Sequence, residues 1–180
     1  MTASGSTLQK TSGCGGCADA SAVSQQQLAA ASGSFQFSAA DTGTLRFIGL
    51  SVGSIGTTAG DLSFALRLQN GTVEVRESGA YKSEASFGAG DTLGIRVENG
   101  TVKYLKNGAV FYTSGSRAPD AQRVHAVFFD SNATVANFTI GSSTAGASSA
   151  GAAAASSALS IQGTRTRPPS AEIVGYAVGH

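Results

Sequence analysis

Between residues 34 and 141 apolar and polar positions alternate in short runs separated by tight-turn signals. Leu62, Phe64, Leu66 and Leu68 interleave with Ser63, Ala65 and Arg67, the period-two pattern of a half-buried strand. Asn70-Gly71 follows at once, and Val73 and Val75 then alternate with Glu74 and Arg76. This predicts a β-hairpin, because both residues of an Asn-Gly pair tolerate the positive φ of a two-residue turn. The device recurs: Leu93, Ile95 and Val97 lead through Asn99-Gly100 to Val102 and Tyr104, and through Asn107-Gly108 to Val110 and Tyr112. The three signals together predict an antiparallel meander. Further strands are expected at 35–38, 44–50, 122–129 and 134–140. Short strands, tight turns and no convincing helix indicate an all-β antiparallel sandwich of the jelly-roll type.

The flanks read differently. Residues 1–33 are rich in Ser, Gly, Gln and Ala and carry both cysteines. Residues 142–163 are almost pure Gly, Ser and Ala, with little side-chain area to bury, and read as a linker. Residues 164–180 form a short flexible C-terminal tail or the start of a further segment. Its apolar patch of Ile173, Val174, Tyr176 and Val178 could add a strand to a neighbour's sheet edge. The main domain is accordingly placed at 6–141. Met1 to Lys10 contains no basic segment followed by an apolar run, so no secretory leader is expected there.

Composition narrows the class of function. Twelve Lys+Arg against eleven Asp+Glu give a net charge of +1, which lacks the basic excess of a nucleic-acid binder. No apolar stretch approaches the roughly 20 residues of a membrane span, so membrane insertion is not expected.

The motif order carries a resemblance. Thr7-Leu-Gln-Lys-Thr-Ser12 is followed by a Gly-rich loop, Ala22-Val-Ser-Gln-Gln-Gln-Leu28, Gly33-Ser-Phe-Gln-Phe37 and Leu45-Arg-Phe-Ile-Gly-Leu-Ser51. Leu62-Ser-Phe-Ala-Leu66, Gly71-Thr-Val-Glu-Val-Arg-Glu-Ser-Gly79, Gly90-Asp-Thr-Leu-Gly-Ile-Arg-Val97 and Gly100-Thr-Val-Lys-Tyr-Leu-Lys-Asn-Gly108 complete the series. Over residues 6–141 this resembles concanavalin A-like (lectin/glucanase-type) jelly-roll modules of bacterial and viral surface or secreted proteins, and the last motif is similar to a turn of SPRY-type sandwiches. The resemblance implies a concanavalin A-like sandwich and a lectin-like surface module for carbohydrate recognition or adhesion. It places the chain outside the cell, or on a cell or virion surface, with a glycan or neighbouring subunits of a surface assembly as partner. A structural spacer or decoration domain is the alternative. Members of such families often carry a Trp after the Thr-Ser; here Cys14-Gly-Gly-Cys17 stands in that loop and no Trp occurs anywhere.

The candidate chemistry is sparse. Cys14 and Cys17 fit a local disulfide stiffening a Gly-rich loop, with free thiols second and metal ligation third. A redox pair would want the N-terminus of a helix, and none is expected there. A glucanase needs two acids facing one sugar, in a Glu-x-Asp-x-x-Glu strand that this chain lacks. Glu74 and Glu77 project to opposite faces of a strand. Glu74 and Glu98 could share an outer face, each with an arginine nearby (Arg76, Arg96), and read as a solvated charge ladder. Hence no enzyme, cofactor or metal site is expected. Asp130-Ser-Asn132 is too sparse for calcium, and Asp61 and Asp91 read as turn residues. A sugar-binding face could be built from Arg67, Glu74, Arg76, Tyr81, Lys103 and His125, with Tyr81, expected in a turn, stacking on a ring.

Overall fold

The computed structural model describes residues 1–29, 31–52, 56–118, 121–141 and 161–165. Among them, fourteen strands form two antiparallel seven-stranded sheets. In chain order they are β1 (Thr2–Ser4), β2 (Thr7–Gln9), β3 (Ala20–Leu28), β4 (Ser32–Ala39), β5 (Arg46–Ser51), β6 (Phe64–Gln69), β7 (Thr72–Glu77), β8 (Ala80–Ser86), β9 (Thr92–Glu98), β10 (Thr101–Lys106), β11 (Ala109–Arg117), β12 (Gln122–Phe128), β13 (Thr134–Gly141) and β14 (Ile161–Arg165). Sheet A runs β1-β2-β13-β4-β9-β10-β11, and sheet B runs β14-β3-β12-β5-β6-β7-β8.

The alternation seen in the sequence sorts each strand's residues between the core and an outer face. Phe35 and Phe37 of β4 and Phe138 of β13 point inward, with ring centroids 5.9–6.4 Å apart. They share one buried cluster with Ile48, Leu50, Leu66, Leu68, Val73, Val75 and Phe128 of sheet B. Each such side chain contributes about 1.5–3 kcal/mol by leaving water. The intervening residues, such as Gln36, Arg67, Glu74 and Lys103, are exposed or half-buried on the outer faces.

The Asn-Gly turns form as the sequence predicts. Asn70, Asn99 and Asn107 all sit at φ 50°, and Gly71, Gly100 and Gly108 at φ 72–80°. The hairpins do not make one meander, however. β5 to β8 wind through sheet B, the chain crosses over, and β9 to β11 wind through sheet A. A fourth tight turn, Ser78-Gly79, joins β7 to β8 with both residues at positive φ. β8 was not expected. Its sequence AYKSEAS lacks apolar alternation because, as an edge strand, it is largely exposed. Tyr81 therefore lies on a strand and not in a turn.

β5 begins at Arg46, two residues later than expected, because Asp41 Oδ1 accepts hydrogen bonds from the Thr44 N–H and hydroxyl at 2.8 Å and holds a turn there. β14 pairs with the outer edge of β3 at the place where the sequence suggested that linker meets tail. The tail residues Ile173, Val174, Tyr176 and Val178, and most of the expected linker, lie outside the described residues. Among the described residues no helix is long and apolar enough to cross a membrane.

Candidate functional site

The six residues suggested as a sugar-binding face do not share one. Arg67, Glu74, Arg76 and Tyr81 come together on the outer face of sheet B, where β6, β7 and β8 pair Arg67 with Glu74 and Arg76 with Tyr81. Lys103 is on β10 of sheet A. His125 is on β12 of sheet B but is completely buried, beneath the loop that carries Gly56 and Asp61. Burial pushes its pKa below the usual histidine range. It alternates with Val124 and Ala126 as expected, yet it is not a contact residue, because even the outer side of the central strand β12 is covered. Glu74 and Glu98 likewise lie on different sheets and cannot act on one substrate.

The sheet B group is a closed ion-pair ladder. Arg67 Nη1 donates to Glu74 Oε1 at 2.8 Å, and Arg76 donates through Nε and Nη2 to Glu74 Oε2 at 2.8 and 2.6 Å. The Arg76 guanidinium also sits 5.7 Å from the Tyr81 ring centroid. Tyr81 is 52% exposed. Glu77, three residues after Glu74, faces the other way: it is buried and accepts a hydrogen bond from the Tyr104 hydroxyl at 3.3 Å.

Sheet A carries an indentation that the sequence reading did not find. A cleft of about 180 Å³ opens on its outer face, walled by Ser34 and Gln36 of β4, Thr92 and Arg96 of β9, Leu105 of β10 and Gly108 of the next turn. Register explains its shape. Ser34, Arg96 and Lys103 stand side by side in one row, and Gln36, Gly94 and Leu105 in the next. Gly94 leaves the centre of the second row bare. A Cβ there would collide with the Phe35 carbonyl oxygen and lie 3.1 Å from Gln36 Cα, so glycine also permits the close approach of β4 and β9. The available signal was an isolated glycine inside a strand pattern, which marks a bulge or a close backbone approach.

The charges around the cleft are arranged unequally. At one end Glu98 lies between two cations, with Arg96 Nε 2.7 Å from Oε1 and Lys103 Nζ 2.5 Å from Oε2. Lys103, then Arg96, holds the Glu98 carboxyl below its usual pKa. At the other end Asp91 accepts from Asn107 Nδ2 and from the Gly88 N–H, both at 2.9 Å, and Lys106 Nζ lies 3.3 Å away. These contacts hold its pKa at about 2.

A third centre lies at the loop end of the sandwich. Cys14 and Cys17 are joined by a disulfide, with Cα atoms 5.6 Å apart. Beneath this exposed loop the Lys10 side chain is wholly buried. Its ammonium donates to the carbonyls of Cys14 (2.6 Å), Cys17 (2.9 Å) and Phe129 (2.5 Å), and it pairs with Asp19 Oδ1 at 2.5 Å. Asp19 Oδ2 in turn accepts from the Cys14 N–H. The lysine closes the loop from inside. Asp130, considered above for calcium, accepts from the Leu45 N–H at 2.7 Å and acts as a loop tie. Among the described residues no three His, Cys, Asp or Glu side chains converge on a metal position.

No protein-family model matches the sequence, and no curated protein matches it. Solved structures do match in shape. The SPRY domain of human HERC1 aligns over 79% of this chain and 91% of its own, at 16% identity and TM-score 0.50. The Crh5 transglycosylase aligns over 78% of this chain and 72% of its own, at 15% identity and TM-score 0.50. The alginate lyase AlgAT5, of polysaccharide lyase family 7, aligns at 12% identity and TM-score 0.45 over 69% of this chain, which spans 63% of the length of that enzyme. At such identities the likeness concerns the fold alone, and the fold is a concanavalin A-like jelly roll.

Proposed function

We propose that this chain is a non-catalytic, lectin-like module that binds carbohydrate in the cleft on the outer face of sheet A. The observation that carries the reading is the cleft's construction. Ser34, Gln36, Thr92 and Arg96 present hydroxyl, amide and guanidinium groups around a floor with no side chain at Gly94, and Leu105 supplies an apolar wall. A pyranose ring has the same distribution: hydroxyls at its rim and C–H groups on its faces. A few placed polar groups around a partly apolar concavity is the general form of a small-ligand site.

The carboxylates support binding over catalysis. Hydrolysis needs a pair of acids across one bond, one of them held protonated. Around this cleft Glu98 is engaged by Arg96 and Lys103, and Asp91 by Asn107, Gly88 and Lys106. Both are held ionised. One shallow cleft binds weakly, and display of many copies would supply the avidity.

The test is a glycan array probed with the full chain displayed multivalently, followed by single variants. Selective binding that falls in Gln36→Ala and survives in Arg76→Ala is the expected result. Binding lost in Arg76→Ala or Tyr81→Ala but kept in Gln36→Ala would move the site to sheet B. A blank array would remove the carbohydrate reading.

A further inference from the structure

Resting on that reading of the cleft, we infer that its ligand carries an acidic group, carboxylate or sulfate, seated on Arg96 at the Glu98 end. The inference comes from how Arg96 is held. Its Nε lies 2.7 Å from Glu98 Oε1 as an ion-pair contact without hydrogen-bond geometry, and among the described residues no hydrogen bond engages its two η nitrogens. The guanidinium lines the cleft beside a carboxylate that it pairs with through Nε alone, which leaves its outer edge uncommitted among the described residues. An arginine edge of this kind matches the two oxygens of a carboxylate or sulfate in a bidentate pair.

Charge count agrees. Glu98 carries one negative charge and serves two cations, Arg96 and Lys103, on its two oxygens. The three residues together carry a net +1 at this end of the cleft, with Arg96 and Lys103 side by side in one row and Glu98 in the next. Lys103 is the residue that makes this excess: if Glu98 served Arg96 alone, the pair would be neutral and an approaching anion would gain little.

The other end offers no such excess. Asp91 is paired with Lys106 at 3.3 Å and accepts from Asn107 and the Gly88 N–H, so the pair there is neutral. The ligand thus has a direction, with its acidic substituent toward Ser34 and Arg96 and neutral hydroxyls toward Thr92 and Gly108. Ser34 sits beside Arg96 in register and can donate its hydroxyl to the same anion.

The experiment measures binding of the full chain to three fluorescent oligosaccharides of equal length: one neutral, one of uronic acid units, one of the neutral type bearing sulfate. Titrations at low and high salt would use the parent chain, Arg96→Gln and Arg96→Lys, each shown to be folded by its thermal transition. The expected result is an acidic ligand bound tighter than the neutral one by about ten-fold or more, the scale of one charge-assisted pair. Salt should shrink this margin, because the group is partly exposed. Arg96→Gln should bring the acidic ligands down to the affinity that the same variant shows for the neutral one, so that the margin is lost. Arg96→Lys should keep part of it, since the charge remains and the fork is lost. The better of the two acidic ligands identifies the anion. Equal affinity for neutral and acidic ligands, or a margin untouched in Arg96→Gln, would overturn the inference and leave the carbohydrate site standing. Absence of binding to all three would remove the site itself and this inference with it.

Discussion

Replacing Lys10 by methionine removes an ammonium that has no exposed surface and takes a donor from four oxygens, of which the Cys17 and Phe129 carbonyls keep one each, the Asp19 and Gly16 N–H groups. Methionine has similar length, so little cavity forms and the loss is electrostatic. Breaking a buried charge pair by deleting one partner costs about 3–5 kcal/mol. Here the lower end applies. Cys14 and Cys17 are exposed, so water can reach their carbonyls once the loop loosens, and the Asp19 side chain is already 30% exposed. The expected cost is therefore about 3 kcal/mol, a large share of a domain stability of about 5–15 kcal/mol. In urea unfolding the midpoint should fall by about 1–2 M with an unchanged slope. Asp19→Asn should cost only about 1 kcal/mol, and the double variant less than the sum, because both changes remove one shared interaction. Acid titration gives a second readout. Burial alone would raise the Asp19 pKa, but hydrogen bonds from Lys10 and from the Cys14 N–H, with the lysine's charge, bring it below 3.8. A depressed folded pKa stabilises above the unfolded value, and that stability is lost as pH falls through the folded one. Lys10→Met should flatten this loss below pH 3.8. A destabilisation under about 1 kcal/mol, with an unaltered acid profile, would refute the account of Lys10 as the internal tie of the loop.

Three other outcomes follow from the geometry. Asp91 has a folded pKa of about 2 against an ordinary 3.8, so stability held at neutral pH should decline between those values, and Asp91→Asn should remove that decline in pH-dependent melting. Ser78 occupies φ 47° in the β7–β8 turn without the asparagine that the three similar turns use; Ser78→Asn should raise stability by about 0.5 kcal/mol, read as a higher urea midpoint, and an unchanged midpoint would count against the strain. The Cys14–Cys17 cross-link closes a very short loop, so its reduction should cost about 2 kcal/mol on chain entropy, seen by comparing unfolding with and without dithiothreitol.

The strands were legible because alternation and Asn-Gly turns are local signals, and at residues 62–112 they led to the correct hairpins. What stayed hidden was the partition of those hairpins between two sheets, which depends on the crossing after β8 and on pairings between distant parts of the chain, such as Ala39 with Val135 and Leu8 with Val135. That partition also explains why the suggested sugar-binding set fell apart. Lys103 and Arg76 each follow a correct strand pattern, but the pattern assigns an outward direction and not a sheet. His125 was opaque for a related reason: position on the outward side of a strand means exposure only where nothing covers that side. Lys10 left no trace in the sequence, since three of its four partners are backbone carbonyls, which every residue possesses. The cleft was legible in one letter, the glycine of Leu93-Gly-Ile95, but a glycine announces close packing without saying what stands around it.

That glycine also sets the terms on which this surface can be altered. Any side chain at position 94 would drive into the carbonyl of the adjacent strand, so the base of the cleft is not free to vary. Ser34, Gln36, Thr92 and Leu105 have no such restriction, because their side chains stand clear of the ladder on its outer side. Diversity is thus confined to the rim. A library randomised at those four positions would sample many preferences on one unchanging platform, whereas randomising the platform would yield mainly chains that cannot bring β4 and β9 together.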